Sequence, residues 1–164
     1  MKNTLKLAVV ATTMLATLVA QAATGRILGY RVEKGANGGG GVSAMTQADG
    51  NLHRFWTNST DPRIDWHVIV GDLGNPTFVR SMTITVRGAK LGTSNIGMWI
   101  YDFVARKWVY GSAVSLPSVG LANTSMTLTN VPSRFVQFNG QCKIRFISTG
   151  PVEMIVDKIT VTTS

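Results

Sequence analysis

The sequence predicts an all-β fold, a two-sheet antiparallel β-sandwich, and three observations carry that expectation. Apolar residues recur at period two, as in Met82, Ile84 and Val86 alternating with Ser81, Thr83, Thr85 and Arg87, the signature of a strand with one dry and one wet face. Roughly ten such short segments are separated by turn residues every 8–12 positions or so, which is sandwich spacing. No convincing amphipathic helical period interrupts them.

The chain opens with a segment that stands apart from this fold. Met1 to Ala23 has a basic start (Lys2, Lys6), an apolar run from Leu7 to Val19 and small residues at Ala20-Gln21-Ala22. That order is a secretory signal peptide with an A-x-A cleavage site. The run is shorter than the ~20 residues a membrane span needs, and three threonines interrupt it. Residues 24–164 are then one exported domain, without a membrane span after cleavage, in the periplasm, at the cell surface or in the medium.

Loss of Lys2 and Lys6 reduces the 16 basic residues to 14 against 8 acids, a net charge of +6. The cations are scattered singly, Arg106-Lys107 being the one adjacent pair. Nucleic-acid binders concentrate such charge on one face or helix, so no nucleic acid is expected. A basic exported surface attracts anionic surface polymers instead. Cys142, the single cysteine, excludes an internal disulfide, and its apolar-alternating surroundings predict an inert buried thiol.

Arg26–Glu33 is the first strand expected, running into KGANGGGG, residues 34–41. Four consecutive glycines are too flexible for a strand interior and lack the Lys-Ser/Thr end of a phosphate-binding loop; a loop allowing close backbone approach is expected. Val42–Thr46 reads as a short strand, Leu52–Asn58 as an aromatic one. Ile64–Val70 is a strong strand with Ile64, Trp66, Val68 and Val70 on one side. Ser81–Ser112 then supplies three consecutive strands, joined by the turn-rich Gly88–Asn95 and the tight polar Ala105-Arg106-Lys107. Ser125–Thr129 alternates cleanly. Arg134–Phe138 and Cys142–Ser148 flank Asn139-Gly140 as a predicted hairpin, with Lys143 and Arg145 on one face and Ile144 and Phe146 on the other. Val152–Val161 closes the chain.

The order of these features resembles a known family. Tyr30 precedes Gly38–Gly41, then come Asp49-Gly50, Asp65-Trp66, MTITVRG at Met82–Gly88, WIYDF at Trp99–Phe103, Lys107-Trp108-Val109, KIRF at Lys143–Phe146 and Val156–Val161. This is similar to the galactose-binding-like jelly-roll domains of secreted bacterial surface proteins and carbohydrate-active enzymes. The resemblance implies a jelly roll and a carbohydrate-binding role, with different loops serving different ligands.

An inward carboxylate at Asp157, among Ile155, Ile159 and Val161, needs hydrogen bonds, a cation partner or a metal. The resemblance implies a structural calcium held by Glu33 and Asp157, with Asp49 as a possible third ligand; backbone N–H groups or an arginine are the other candidates. Trp99 and Tyr101 share a strand face, as do Trp108 and Tyr110, and flat rings are platforms for sugar faces. Met98 and Ile100 on the other side leave a core role open for them, and Trp66 and Trp108 are assigned to the core. Trp56, His53 and Arg54 are equally plausible ligand residues. No catalytic constellation stands out: His53 and His67 with one cysteine do not make a metal triad, and no G-x-S-x-G elbow exists. The expectation is an exported non-catalytic module that recognises glycan or another extracellular polymer. A structural, self-assembling homo-oligomer is the alternative.

Overall fold

A computed structural model describes residues 22–164. The leader expected over residues 1–23 lies outside them, apart from Ala22 and Ala23. The described residues form eleven strands: β1 (Ala23–Thr24), β2 (Arg26–Lys34), β3 (Ala36–Gly39), β4 (His53–Trp56), β5 (Asp65–Gly71), β6 (Met82–Leu91), β7 (Ile96–Asp102), β8 (Lys107–Ala113), β9 (Ala122–Leu128), β10 (Cys142–Ser148) and β11 (Glu153–Thr163). They build two antiparallel sheets. One has the order β3-β4-β11-β6-β9, with β1 also on β11; the other runs β2-β5-β10-β7-β8. No described helix is long and apolar enough to cross a membrane.

Period-two alternation sends one side of every long strand into the space between the sheets. Trp66, Val68 and Val70 of β5, Ile144 and Phe146 of β10, and Met98 and Ile100 of β7 meet Met82, Ile84 and Val86 of β6 and Met154, Val156 and Val161 of β11, all buried. Full burial contributes about 1.5–3 kcal/mol for each large apolar side chain. The two layers are joined by a ring stack: Trp66 lies 3.7 Å from Phe55 of the facing sheet and 4.5 Å from Phe146, centroid to centroid. Cys142 is buried in this core, and burial pushes its thiol up to about 12.

Four expected segments differ from the structure. The first half of Gly88–Asn95, expected as a connection, is strand, because β6 continues to Leu91 against Glu153 of β11. The glycine run is not all loop: Ala36–Gly39 forms edge strand β3, paired with β4 from Ala36↔Trp56 to Gly39↔His53. The close approach is real, because a Cβ on Gly39, at φ +113°, would meet the Leu52 carbonyl at 2.3 Å. Val42–Thr46 is not a strand. It holds a single tight helical turn at Ser43–Met45, whose adjacent residues Ala44 and Met45 are both buried, which alternation would forbid. Arg134–Phe138 is not the first arm of a hairpin. Pro132–Phe135 is a short helical turn entered from Val131 at φ 50°, and the Phe103 N–H donates to the Arg134 carbonyl instead.

Candidate ligand-binding face

The outer surface of the β2-β5-β10-β7-β8 sheet collects the side chains that the core rejects. In β7, Met98 and Ile100 point inward, so Trp99 and Tyr101 point outward. Cross-strand pairing places Tyr110 opposite Trp99 and Trp108 opposite Tyr101. Both pairs pack edge to face, at 5.2 and 5.3 Å between centroids, the arrangement the ring quadrupoles favour. Tyr110 is 51% exposed and the other three rings are half-buried.

Strand β10 runs beside them and supplies cations from its outward positions. Arg145 pairs across to Trp99 on one side and to His67 on the other. Its Nε and Nη2 donate to the two oxygens of Asp65 at 2.7 and 2.6 Å. That fork fixes the guanidinium in one plane, 5.4 Å from the Trp108 ring centroid. The Asp65 hydrogen bond holds the Arg145 pKa above its ordinary value, with burial opposing. Lys143 Nζ lies 5.6 Å over the Tyr101 ring. On the far side, Glu33 pairs with Arg31 at 3.0 Å and faces His67 Nδ1 at 3.6 Å. Burial lowers the His67 pKa; Glu33 opposes this, and Lys143, Arg145 and Arg31 reinforce it. His67 is therefore neutral at pH 7, with one ring nitrogen donating and the other accepting.

At one end the face opens into a cleft of about 680 Å³, lined by Tyr101 and Lys143 of the face, Phe103 and Arg106 of the β7–β8 turn, and Arg134 and Phe138 of the segment before β10. Asp102 organises this end. One of its oxygens accepts the Val104 and Ala105 N–H groups at 2.9 and 2.8 Å, and the other binds the Arg134 guanidinium. Burial pushes the Asp102 pKa up, but the two N–H groups and Arg134 together outweigh it and hold the carboxyl below its ordinary value.

Of the ligand residues expected from the sequence, Trp99 and Tyr101 lie on this face; His53, Arg54 and Trp56 do not, because β4 belongs to the other sheet. His53 is buried against Tyr30 and Phe55 and accepts the Gly41 N–H on Nδ1 at 3.1 Å. Arg54 pairs with Glu153 at 3.0 Å. The part-exposed Trp56 ring lies over Gly38, where a Cβ would meet it at 3.2 Å. Trp66 is core as expected. Trp108 is not: its ring lies on the outer surface beside Arg145 and Tyr101. Its facing follows from the pairing of β8 with β7, which alternation along β8 does not give.

The carboxylates expected to hold calcium are not brought together. Glu33 sits on the ligand face. Asp157 lies in the opposite sheet, at a break in the β11–β6 register. It accepts the Gly50 N–H at 3.0 Å and Arg87 Nε at 2.7 Å, while Asp49 turns back to the Asn51 N–H at 2.9 Å. A calcium at Asp157 would face the Arg87 charge, so these residues do not fit the ion. Among the described residues, no three His, Cys, Asp or Glu side chains converge as a metal site.

No protein-family model matches the chain, and no curated protein matches it in sequence. Solved structures do match it in shape. A variant of CBM29-2, a family 29 carbohydrate-binding module, superposes with a TM-score of 0.52 at 10% identity over 87% of this chain and 86% of its own. A structure described as a carbohydrate binding module of family 29 gives 0.51 at 10% identity, over 87% and 89%. A further CBM29-2 variant, complexed with cellulohexaose, gives 0.50 at 8% identity, over 86% and 91%. In fold, this chain is a jelly-roll β-sandwich like those of the carbohydrate-binding modules.

Proposed function

We propose that this protein is a non-catalytic binding module that holds a glycan chain along the outer face of the β2-β5-β10-β7-β8 sheet. The observation that carries the reading is the row of outward rings, Trp99, Tyr101, Trp108 and Tyr110, set beside a guanidinium locked by Asp65. Flat rings cover the apolar face of a sugar ring, and fixed polar groups at their edge orient its hydroxyls. Small-molecule sites are concave and mostly apolar with a few convergent polar groups, a form the cleft at the end of this face shares. The shared fold with modules such as the one complexed with cellulohexaose supports the same reading. The exported setting is part of the proposal and rests on the leader at Met1–Ala23.

Affinity electrophoresis and calorimetry against a panel of soluble polysaccharides test it. Trp99→Ala, Trp108→Ala and Tyr110→Ala should each weaken binding at least about tenfold, the equivalent of ~1.4 kcal/mol. Trp56→Ala, on the other sheet, should leave binding intact. Binding by the parent protein that depends on Trp56 and not on Trp99 would overturn the assignment. Oligomers that form without glycan and dissociate in Tyr110→Ala would favour self-association through this face instead.

A further inference from the structure

We propose that the glycan is acidic, and that the cleft at the end of the aromatic face receives a carboxylate or sulfate group of one of its sugar residues. The inference rests on the glycan reading above and adds the chemical class of the ligand.

The ion pairs lead to it. Every carboxylate on the face or beside the cleft is already neutralised: Glu33 by Arg31, Asp65 by Arg145, Asp102 by Arg134. Lys143, Arg106 and Lys107 take part in no ion pair among the described residues. The cleft lining contains Lys143, Arg106 and Arg134 and no Asp or Glu. The Nε of Arg134 is buried without a hydrogen-bond acceptor, an unmet donor on a cationic group. A neutral sugar offers nothing to offset the two unpaired positive charges of Lys143 and Arg106, whereas a carboxylate or sulfate does, in a setting where charge-assisted hydrogen bonds are about twice as strong as neutral ones.

A second, independent observation is the backbone at Arg106. It stands at φ 53°, the left-handed region that glycine enters without cost and an L side chain does not. Asp102 fixes the turn through the Val104 and Ala105 N–H groups, so the strained arginine is held in place beside the cleft. A long cation thus occupies a backbone position better suited to glycine. Phe103 and Phe138 in the same lining flank the charge with apolar surface, as a sugar ring bearing an acidic substituent requires.

The test compares four soluble polymers at about 50 mM salt, where screening is weak: polygalacturonate for carboxylate, dextran sulfate for sulfate, a neutral β-glucan, and duplex DNA as an anionic polymer without sugar-ring faces to stack. The parent protein should bind one of the two acidic glycans at least tenfold more tightly than the β-glucan, and the stronger of the two identifies the anion. Arg106→Gln and Lys143→Gln should each lower the acidic-to-neutral affinity ratio several-fold. Trp99→Ala should weaken both kinds of glycan. Thermal melts of each variant separate loss of binding from loss of fold, and Lys143→Gln, on a regular strand, guards against a turn defect in Arg106→Gln. Equal affinity for acidic and neutral glycans would overturn this inference while leaving the glycan reading standing. Retention of no glycan at all would overturn the glycan reading itself. DNA binding as tight as that of the acidic glycans, and indifferent to Trp99→Ala, would show nonspecific charge attraction and overturn both.

Discussion

Replacing Asp157 by alanine tests what holds the β11 bulge in place. The carboxylate is fully buried and has two partners of different character, the Gly50 N–H at 3.0 Å and Arg87 Nε at 2.7 Å. Removing it leaves the Gly50 donor without an acceptor, at a cost of about 1–3 kcal/mol. The Arg87 side chain is 39% exposed, so its head can turn to water and adds at most about 1 kcal/mol. The sum is about 1–4 kcal/mol. For a domain of this size that lowers Tm by roughly 3–15 °C. Urea unfolding read by tryptophan fluorescence measures it, and the stability difference should be the same in EDTA and in millimolar calcium. A parent protein whose Tm rises with calcium, together with an Asp157→Ala variant that differs from it only when calcium is present, would refute the hydrogen-bond account. It would restore the calcium site that the family resemblance implied.

Two further outcomes follow from the titratable groups. Asp102 is held below its ordinary value of 3.8, so its stabilising contribution is present above 3.8 and is lost as pH falls through the lowered folded value. Asp102→Asn should therefore be less stable than the parent at pH 7, by about 1–3 kcal/mol, with the difference shrinking as the pH drops below 3.8; a difference independent of pH in denaturant titrations would refute the ion-pair account. Cys142, buried and pushed up to about 12, should react with a thiol reagent at pH 8 only at the rate of unfolding, and rapid labelling of the native protein would show that the core opens there.

The parts of this fold that were legible in the sequence are those set by local alternation. Ile64, Trp66, Val68 and Val70 announce an inward face by themselves, and all four are buried. The segments that were misread are those decided by distant partners. Gly38 and Gly39 form a strand because β4 offers them a ladder and Trp56 needs a position without a side chain beneath it; composition alone argued for a loop. Arg134 sits in a helical turn and not the expected strand, its carbonyl accepting the Phe103 N–H and its guanidinium on Asp102, both more than thirty positions earlier in the sequence. His53 shows the same limit from the other direction. A histidine beside an arginine, next to a loop, reads as a surface ligand, yet the Gly41 N–H and the rings of Tyr30 and Phe55 draw it inside.

The row of outward rings depends on one extra residue in β8. Met98 pairs with Ser112, but Trp99 pairs with Tyr110, leaving Gly111 as the additional residue of a bulge. A bulge of this kind shifts which side of the strand each following residue occupies. Continued in the register of Met98 and Ser112, the ladder would set Gly111 opposite Trp99 and Tyr110 opposite the buried Ile100, turning both Trp108 and Tyr110 toward the core and Val109 toward water. The bulge reverses this: Val109 packs against the core, and both rings join Trp99 and Tyr101 outside. Glycine at the extra position leaves room for the Met126 side chain, whose Sδ a Cβ there would meet at 2.3 Å and displace. Trp108 could not be assigned from period-two alternation for this reason. Alternation carries a strand's facing across regular pairing only, and here a single glycine separates an aromatic core strand from half of the proposed binding surface.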